Sequence, residues 1–162
     1  MSTTIGAEVS VDREFEAICE LLERDAIDLL REVLNAPRAE DRHLIMETRQ
    51  RVAGVMLHAD VEVDVDPIVR NSRYAAQLPL RWRPVRHRVA FPPGHGTLHV
   101  SALSRGPRAR SSLLLTTQLE PGLGPIGDLE LAIEGKRRLQ REIEDRLRTL
   151  ARNIEAKIPG TD

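Results

Sequence analysis

The sequence predicts an α+β fold in which an antiparallel sheet is covered by a long C-terminal helix. Between residues 55 and 120 apolar side chains fall at every second position, in segments separated by proline and glycine, the pattern of strands wetted on one face. From 128 to 157 they fall every three or four positions, the pattern of one helix face. The chain has 162 residues. It reads as one domain over 1–162 with 158–162 a short tail, and at that length folding removes roughly 70% of the unfolded surface from water.

"TIGAEVSVD" (4–12) reads as a first strand. Asp12 offers an N-cap, and Glu14 and Glu16 suit the positive end of a helix dipole. Phe15, Ile18, Leu22, Ala26, Leu29 and Val33 then lie on one helical face, and Asp25 divides 13–34 into two pieces meeting near it. "NAPR" (35–38) ends the helix. Residues 39–53 stay open. They fit a helix stopped by Gly54, or a strand in which Leu44, Met46 and Thr48 share a face.

In "LHADVEVDVD" (57–66) Leu57, Ala59, Val61, Val63 and Val65 face one way, and His58, Asp60, Glu62, Asp64 and Asp66 the other. "PIVRNS" (67–72) turns the chain. "RYAAQLPLRW" (73–82) places Tyr74, Ala76, Leu78, Leu80 and Trp82 inward and is partly basic outside, so an antiparallel pair with cross-strand charge contacts is expected. "VRHRVAF" (85–91) reads as a strand with Val85, His87, Val89 and Phe91 inward, and "PPGHG" (92–96) as a turn. "TLHVSAL" (97–103) sends Leu98, Val100 and Ala102 inward. "SRGPR" (104–108) turns again, and "RSSLLLTTQLE" (110–120) puts Leu113, Leu115, Thr117 and Leu119 on one face. The last helix carries a seam of Leu129, Ala132, Leu139, Ile143, Leu147, Leu150, Ile154 and Ile158. It is ~45 Å long, enough to cross a sheet.

Residues Gly122-Leu-Gly124-Pro-Ile-Gly127 spell G-x-G-x-x-G. A dinucleotide turn needs a second parallel strand after its helix, carrying an acid for the ribose. No strand pattern follows 128–157, and Pro125 removes an amide from the loop that should cradle phosphate. These glycines read instead as a sharp turn into the helix, with Asp128 as its N-cap.

Formal net charge is −1, which argues against dedicated nucleic-acid binding. Cys19 is the lone cysteine and lies within an apolar helical pattern, so it reads as inert core. No stretch has the length of a membrane span or the pattern of a signal peptide, and the cytoplasm is the expected location. No metal and no cofactor are expected. His95 and His99 share a strand face but stand ~13 Å apart, too far for one ion.

With seven strands counted if 43–50 is one of them, the chain resembles the START-like helix-grip superfamily (SRPBCC), within it a group of small bacterial members. The matching stretches are "LPLRW" (78–82), "FPPGHGTLHV" (91–100), "SSLLLTTQLEPGLGPIGDL" (111–129) and the terminal helix. The resemblance covers 54–157, and 1–53 by element order. It implies a seven-stranded antiparallel sheet wrapped around the C-terminal helix, with a cavity between them for an apolar or amphipathic small molecule. Tyr74, Leu78, Trp82, His87, Phe91, Leu98, Leu115 and Thr117 are the candidate ligand contacts. A carrier or binder is the first expectation. The second is a polyketide cyclase or aromatase without metal, with His87 and Tyr74 as acid–base candidates. The third is an interaction module, a homodimer pairing strand edges.

Overall fold

The computed structural model describes residues 3–52, 55–85, 93–106, 108–119 and 136–159. Strand β1 (Thr3–Val11) leads into helix α1 (Phe15–Leu34). Strands β2 (Arg38–Glu40), β3 (His43–Val52), β4 (Val55–Val65), β5 (Val69–Arg70), β6 (Ala75–Pro84), β7 (Gly94–Ser104) and β8 (Arg110–Leu119) follow. Helix α2 (Lys136–Lys157) comes last. The sheet order is β1-β8-β7-β6-β4-β3-β2, and every pairing is antiparallel.

Residues 39–53 are thus mainly strand. β5 is an addition. It pairs with the start of β6 while β4 pairs with its end, so β4 and β5 act as one bent strand beside β6. Asp66 N donates to Pro79 O across the bend (3.0 Å). The path therefore holds seven strands, with β5 as an offshoot. The strand expected at 85–91 fails at its first residue: β6 stops at Pro84, and Val85 lies in a bend. Residues 86–92, with His87 and Phe91, lie outside the described residues, as do the glycine-rich stretch and Asp128. The turn expected at 92–96 is also corrected, because Gly94, His95 and Gly96 belong to β7 and pair with both neighbours.

Register carries the inner face from strand to strand. Val61, Val63, Val65, Ala76, Leu78, Leu98, Val100, Leu113, Ile5, Ala7 and Val11 are all buried. On the outer face β4 sets Glu62 opposite Arg83 and Asp64 opposite Arg81. Arg83 Nε donates to Glu62 (2.7 Å), Arg81 reaches Asp66 (3.5 Å), and on β3 the His43 ring bonds Asp64 (2.6 Å). The expected cross-strand charge contacts are present. Being exposed, each stabilises little.

Phe15, Ile18, Leu22, Ala26, Leu29 and Val33 of α1 are buried as their spacing predicts, with Cys19 among them. Asp25 breaks the helix (φ −127°, ψ 22°), so α1 has two legs. Its N-cap is Glu14 without a side-chain bond, and not Asp12, which pairs with Arg110 (3.2 Å). Asn35 closes α1 in the left-handed region, where its amide meets the carbonyl of Arg31.

In α2, Leu147, Leu150 and Ile154 are buried, and Ile143 and Ile158 partly so. α2 packs on β1, α1 and β8, one side of the sheet, while α1 packs on β2, β3 and β7. Polar side chains tie α2 down. Arg13 donates to the last carbonyls of α2, at Ile158 (2.8 Å) and Glu155 (2.8 Å), which have no helical partner of their own. Arg146 donates to Val33 O at the end of α1 (2.9 Å), and Gln140 to Gly6 O on the edge strand (2.6 Å). The last bond also uses an edge carbonyl of β1 that another chain would otherwise meet.

Replacing Arg13 with Ala removes two partly buried, charge-assisted bonds. It should lower unfolding free energy by about 2 kcal/mol in urea titrations, whereas exposed Leu103→Ala should stay within about 0.5 kcal/mol. Burial pushes the Cys19 thiol up from its ordinary 9.0 to about 11, an effect nearby Arg70 partly offsets. The unfolded thiol therefore ionises first. Its contribution to stability is intact below about pH 9 and is lost as pH rises toward about 11. Stability measured across that window should fall, and Cys19→Ala should flatten the part of the fall that the thiol causes.

Candidate functional site

The inner face is not filled evenly. Toward the start of β6, Ala76, Leu78, Val100 and Leu113 are fully covered. Leu80 and Trp82 nearer its end, with Leu115 on β8, Met46 on β3 and Ile143 on α2, remain partly exposed although they pack against the same core. Leu80 pairs with Gly96, Trp82 with Gly94, and Leu98 with Leu115. Gly94 and Gly96 are thus two successive inward positions of β7 without a side chain, flanked by partly exposed Trp82 and Leu80 on β6 and by buried Leu119 and Thr117 on β8. The missing side chains leave a trough in the inner face of β7, floored by backbone.

The indole of Trp82 enters this trough. A β-carbon at Gly94 would stand 2.8 Å from Trp82 Cζ2 and 2.6 Å from the carbonyl oxygen of Gln118. At Gly96 it would stand 3.2 Å from Trp82 Cζ3 and 3.0 Å from Thr116 O. The Gly94 contacts are closer than a real β-carbon tolerates, so glycine is required there by the ring and by the neighbouring strand, while at Gly96 a β-carbon would be crowded and its neighbours would have to give by a few tenths of an ångström.

Thr117, expected as a polar anchor, is buried, and its hydroxyl donates to Ile5 O on β1 (3.0 Å). Its proton is engaged within the sheet. Leu78 and Leu98 are core residues under 3% exposed, while Trp82 and Leu115 stay partly exposed. Among the described residues every buried side-chain nitrogen or oxygen has a hydrogen-bond partner.

Tyr74 is a correction. It precedes β6, lies in the bend at 72–74, and is 47% exposed instead of facing inward. Its amide donates to Ser72 Oγ (3.2 Å), which holds the bend, and the Arg105 guanidinium lies 4.3 Å above its ring. It lines an open surface cleft of about 700 Å³ at the other end of β6, with Phe15, Arg70, Ala102 and Arg105. There Glu16 and Glu23 bond Arg70 and raise its pKa above the usual arginine value. Tyr74 and Trp82 stand at opposite ends of β6 and do not share a site.

No protein-family model and no curated protein matches the chain. Solved structures do. The Zhui aromatase/cyclase of a Streptomyces species is 15% identical, aligns with 98% of this chain and 97% of its own, and gives a TM-score of 0.58. A norcoclaurine synthase point mutant from Thalictrum flavum, in complex with a transition-state analogue, is 12% identical over 95% and 94% of the two chains, with a TM-score of 0.62. The chain has the START-like helix-grip fold. A hypothetical protein from Helicobacter pylori, 14% identical, shares the helix-grip fold over 94% of this chain and 88% of its own, at a TM-score of 0.60. Within this helix-grip frame the glycine pair and Trp82 are the features sequence reading missed as a unit. The signal was present: two glycines at i and i+2 suit adjacent inward positions of a strand as well as they suit a turn.

Gly94→Ala should cost about 1–3 kcal/mol in denaturant unfolding, because both the ring and a strand backbone must move. It should also shift the emission of Trp82, the chain's single tryptophan. Gly6→Ala, whose β-carbon would meet its nearest neighbour at 3.5 Å, should do neither.

Proposed function

We propose that the chain binds an apolar or amphipathic small molecule against the Trp82 indole, which fills the trough over Gly94 and Gly96, between the inner face of the sheet and α2. The observation that carries this is the set of partly exposed apolar side chains on the inside of the fold: Leu80, Trp82, Leu115 and Ile143. Interior positions normally close over their neighbours at crystal-like density. Apolar side chains that face inward and stay partly uncovered mark a concave site for a ligand of like character. The residues named are apolar, so their contribution to affinity comes from buried area and shape, at roughly 25 cal/mol per Å² of apolar surface before the costs of association.

The fold relatives support the same reading, since one is named as an aromatase/cyclase and another holds a transition-state analogue. Catalysis by Tyr74 and His87 together has less support, because Tyr74 lies in the outer cleft. No described helix is long and apolar enough to cross a membrane.

Thermal unfolding and Trp82 emission, recorded against a panel of fatty acids and aromatic carboxylates, test the proposal. A ligand at a hundred times its dissociation constant should stabilise the protein by about 2.7 kcal/mol and alter the emission. Leu115→Asn should weaken that ligand. A panel that changes neither melting nor emission would overturn the proposal.

A further inference from the structure

We infer that Trp82, seated on the glycine pair, makes the trough selective for flat, rigid ring systems over flexible alkyl chains. This inference rests on the binding reading above. The missing side chains at 94 and 96 permit the placement. Trp82 pairs with Gly94, and Leu80 with Gly96, so a side chain at either glycine would occupy the volume that the indole now holds. The positions for those two β-carbons lie within 3.2 Å of two corners of the benzo ring, Cζ2 and Cζ3, on either side of Cη2. The ring therefore leans across β7 instead of standing up from β6. One side of it rests on the strand, and the residue as a whole stays partly exposed.

That arrangement discriminates between ligands. An aliphatic wall of Leu80, Leu115 and Ile143 rewards any apolar surface alike. An indole held over a strand adds offset stacking, which a ring system can use and an alkyl chain cannot. The ring is also preorganised: Gly94 and Gly96 give it a seat and the strands fix the seat, so little side-chain freedom is lost on binding. Among the described residues Trp82 is the only aromatic side chain at this end of the inner face. Phe15 is buried at the other end, and Tyr74 is outside.

The test compares anthracene carboxylate with dodecanoate, two monocarboxylates of opposite stiffness, by calorimetry on the full chain. The wild type should bind the ring compound about tenfold more tightly, and Trp82→Leu, which keeps an apolar side chain, should abolish that preference. Trp82→Phe should keep part of it. A measurement on the wild type alone stands beside the variants: the Trp82 ring protons should move upfield in NMR spectra with anthracene carboxylate and not with dodecanoate. Equal affinity for the two ligands, an unchanged preference in Trp82→Leu, or unmoved ring protons would overturn this inference and leave the cavity reading standing. Failure of both compounds to bind would overturn the two together.

Discussion

One face of the sheet is apolar on every long strand whose side chains are described, and the architecture follows from the need to cover it. Seven strands in series present more inner surface than one helix conceals. α1 and α2 divide the task, α1 against β2, β3 and β7, and α2 against β1 and β8. Their relative placement is set by side chains that meet backbone groups. Arg13 holds the C-terminal carbonyls of α2 to the turn after β1, and Arg146 holds the end of α1 to the middle of α2. These bonds satisfy carbonyls that every helix end leaves without a partner. The same interactions that finish the helices therefore also position them over the sheet.

The exception to complete covering lies at Gly94 and Gly96. A strand with two adjacent inward glycines cannot contribute to a layer of interlocking side chains, and it loses stability for that reason. Here part of the loss is recovered by the Trp82 indole, which takes the vacant volume. Leu80, Leu115 and Ile143 around it stay partly uncovered. The α1 end of the fold is closely packed and supplies stability, and the Trp82 end carries the proposed binding site. Cys19 and Tyr74 illustrate the separation. The first is sealed in the packed end, and the second lies on the outer surface beyond it.

Much of this was legible from periodicity. The two-legged α1, the one-sided strands, the seam of α2 and the charge pairing between β4 and β6 follow from spacing and local chemistry, because burial on one face leaves a period that can be read off residue by residue. Three points were not legible. Tyr74 fits the alternation of β6, yet Ser72 captures its amide and delays the strand by one residue, and such capture depends on local turn geometry. Gly94 and Gly96 resemble a turn because glycine after proline usually is one, and only the cross-strand neighbour shows that the ring of Trp82 lies against them. Asp12 has the composition of an N-cap, but Arg110 on β8 competes for it, a contact separated by about a hundred residues. In each case a tertiary partner outweighed a local preference.

The central claim is that apolar space stays open inside the fold against the Trp82 indole, which itself fills the volume over Gly94 and Gly96. Diffraction from crystals of the protein pressurised with xenon tests it without any choice of ligand, since xenon enters dry apolar hollows. The account predicts a xenon site bounded by Leu80, Trp82, Leu115 and Ile143. An interior free of xenon, with those side chains in van der Waals contact across the trough, would contradict it.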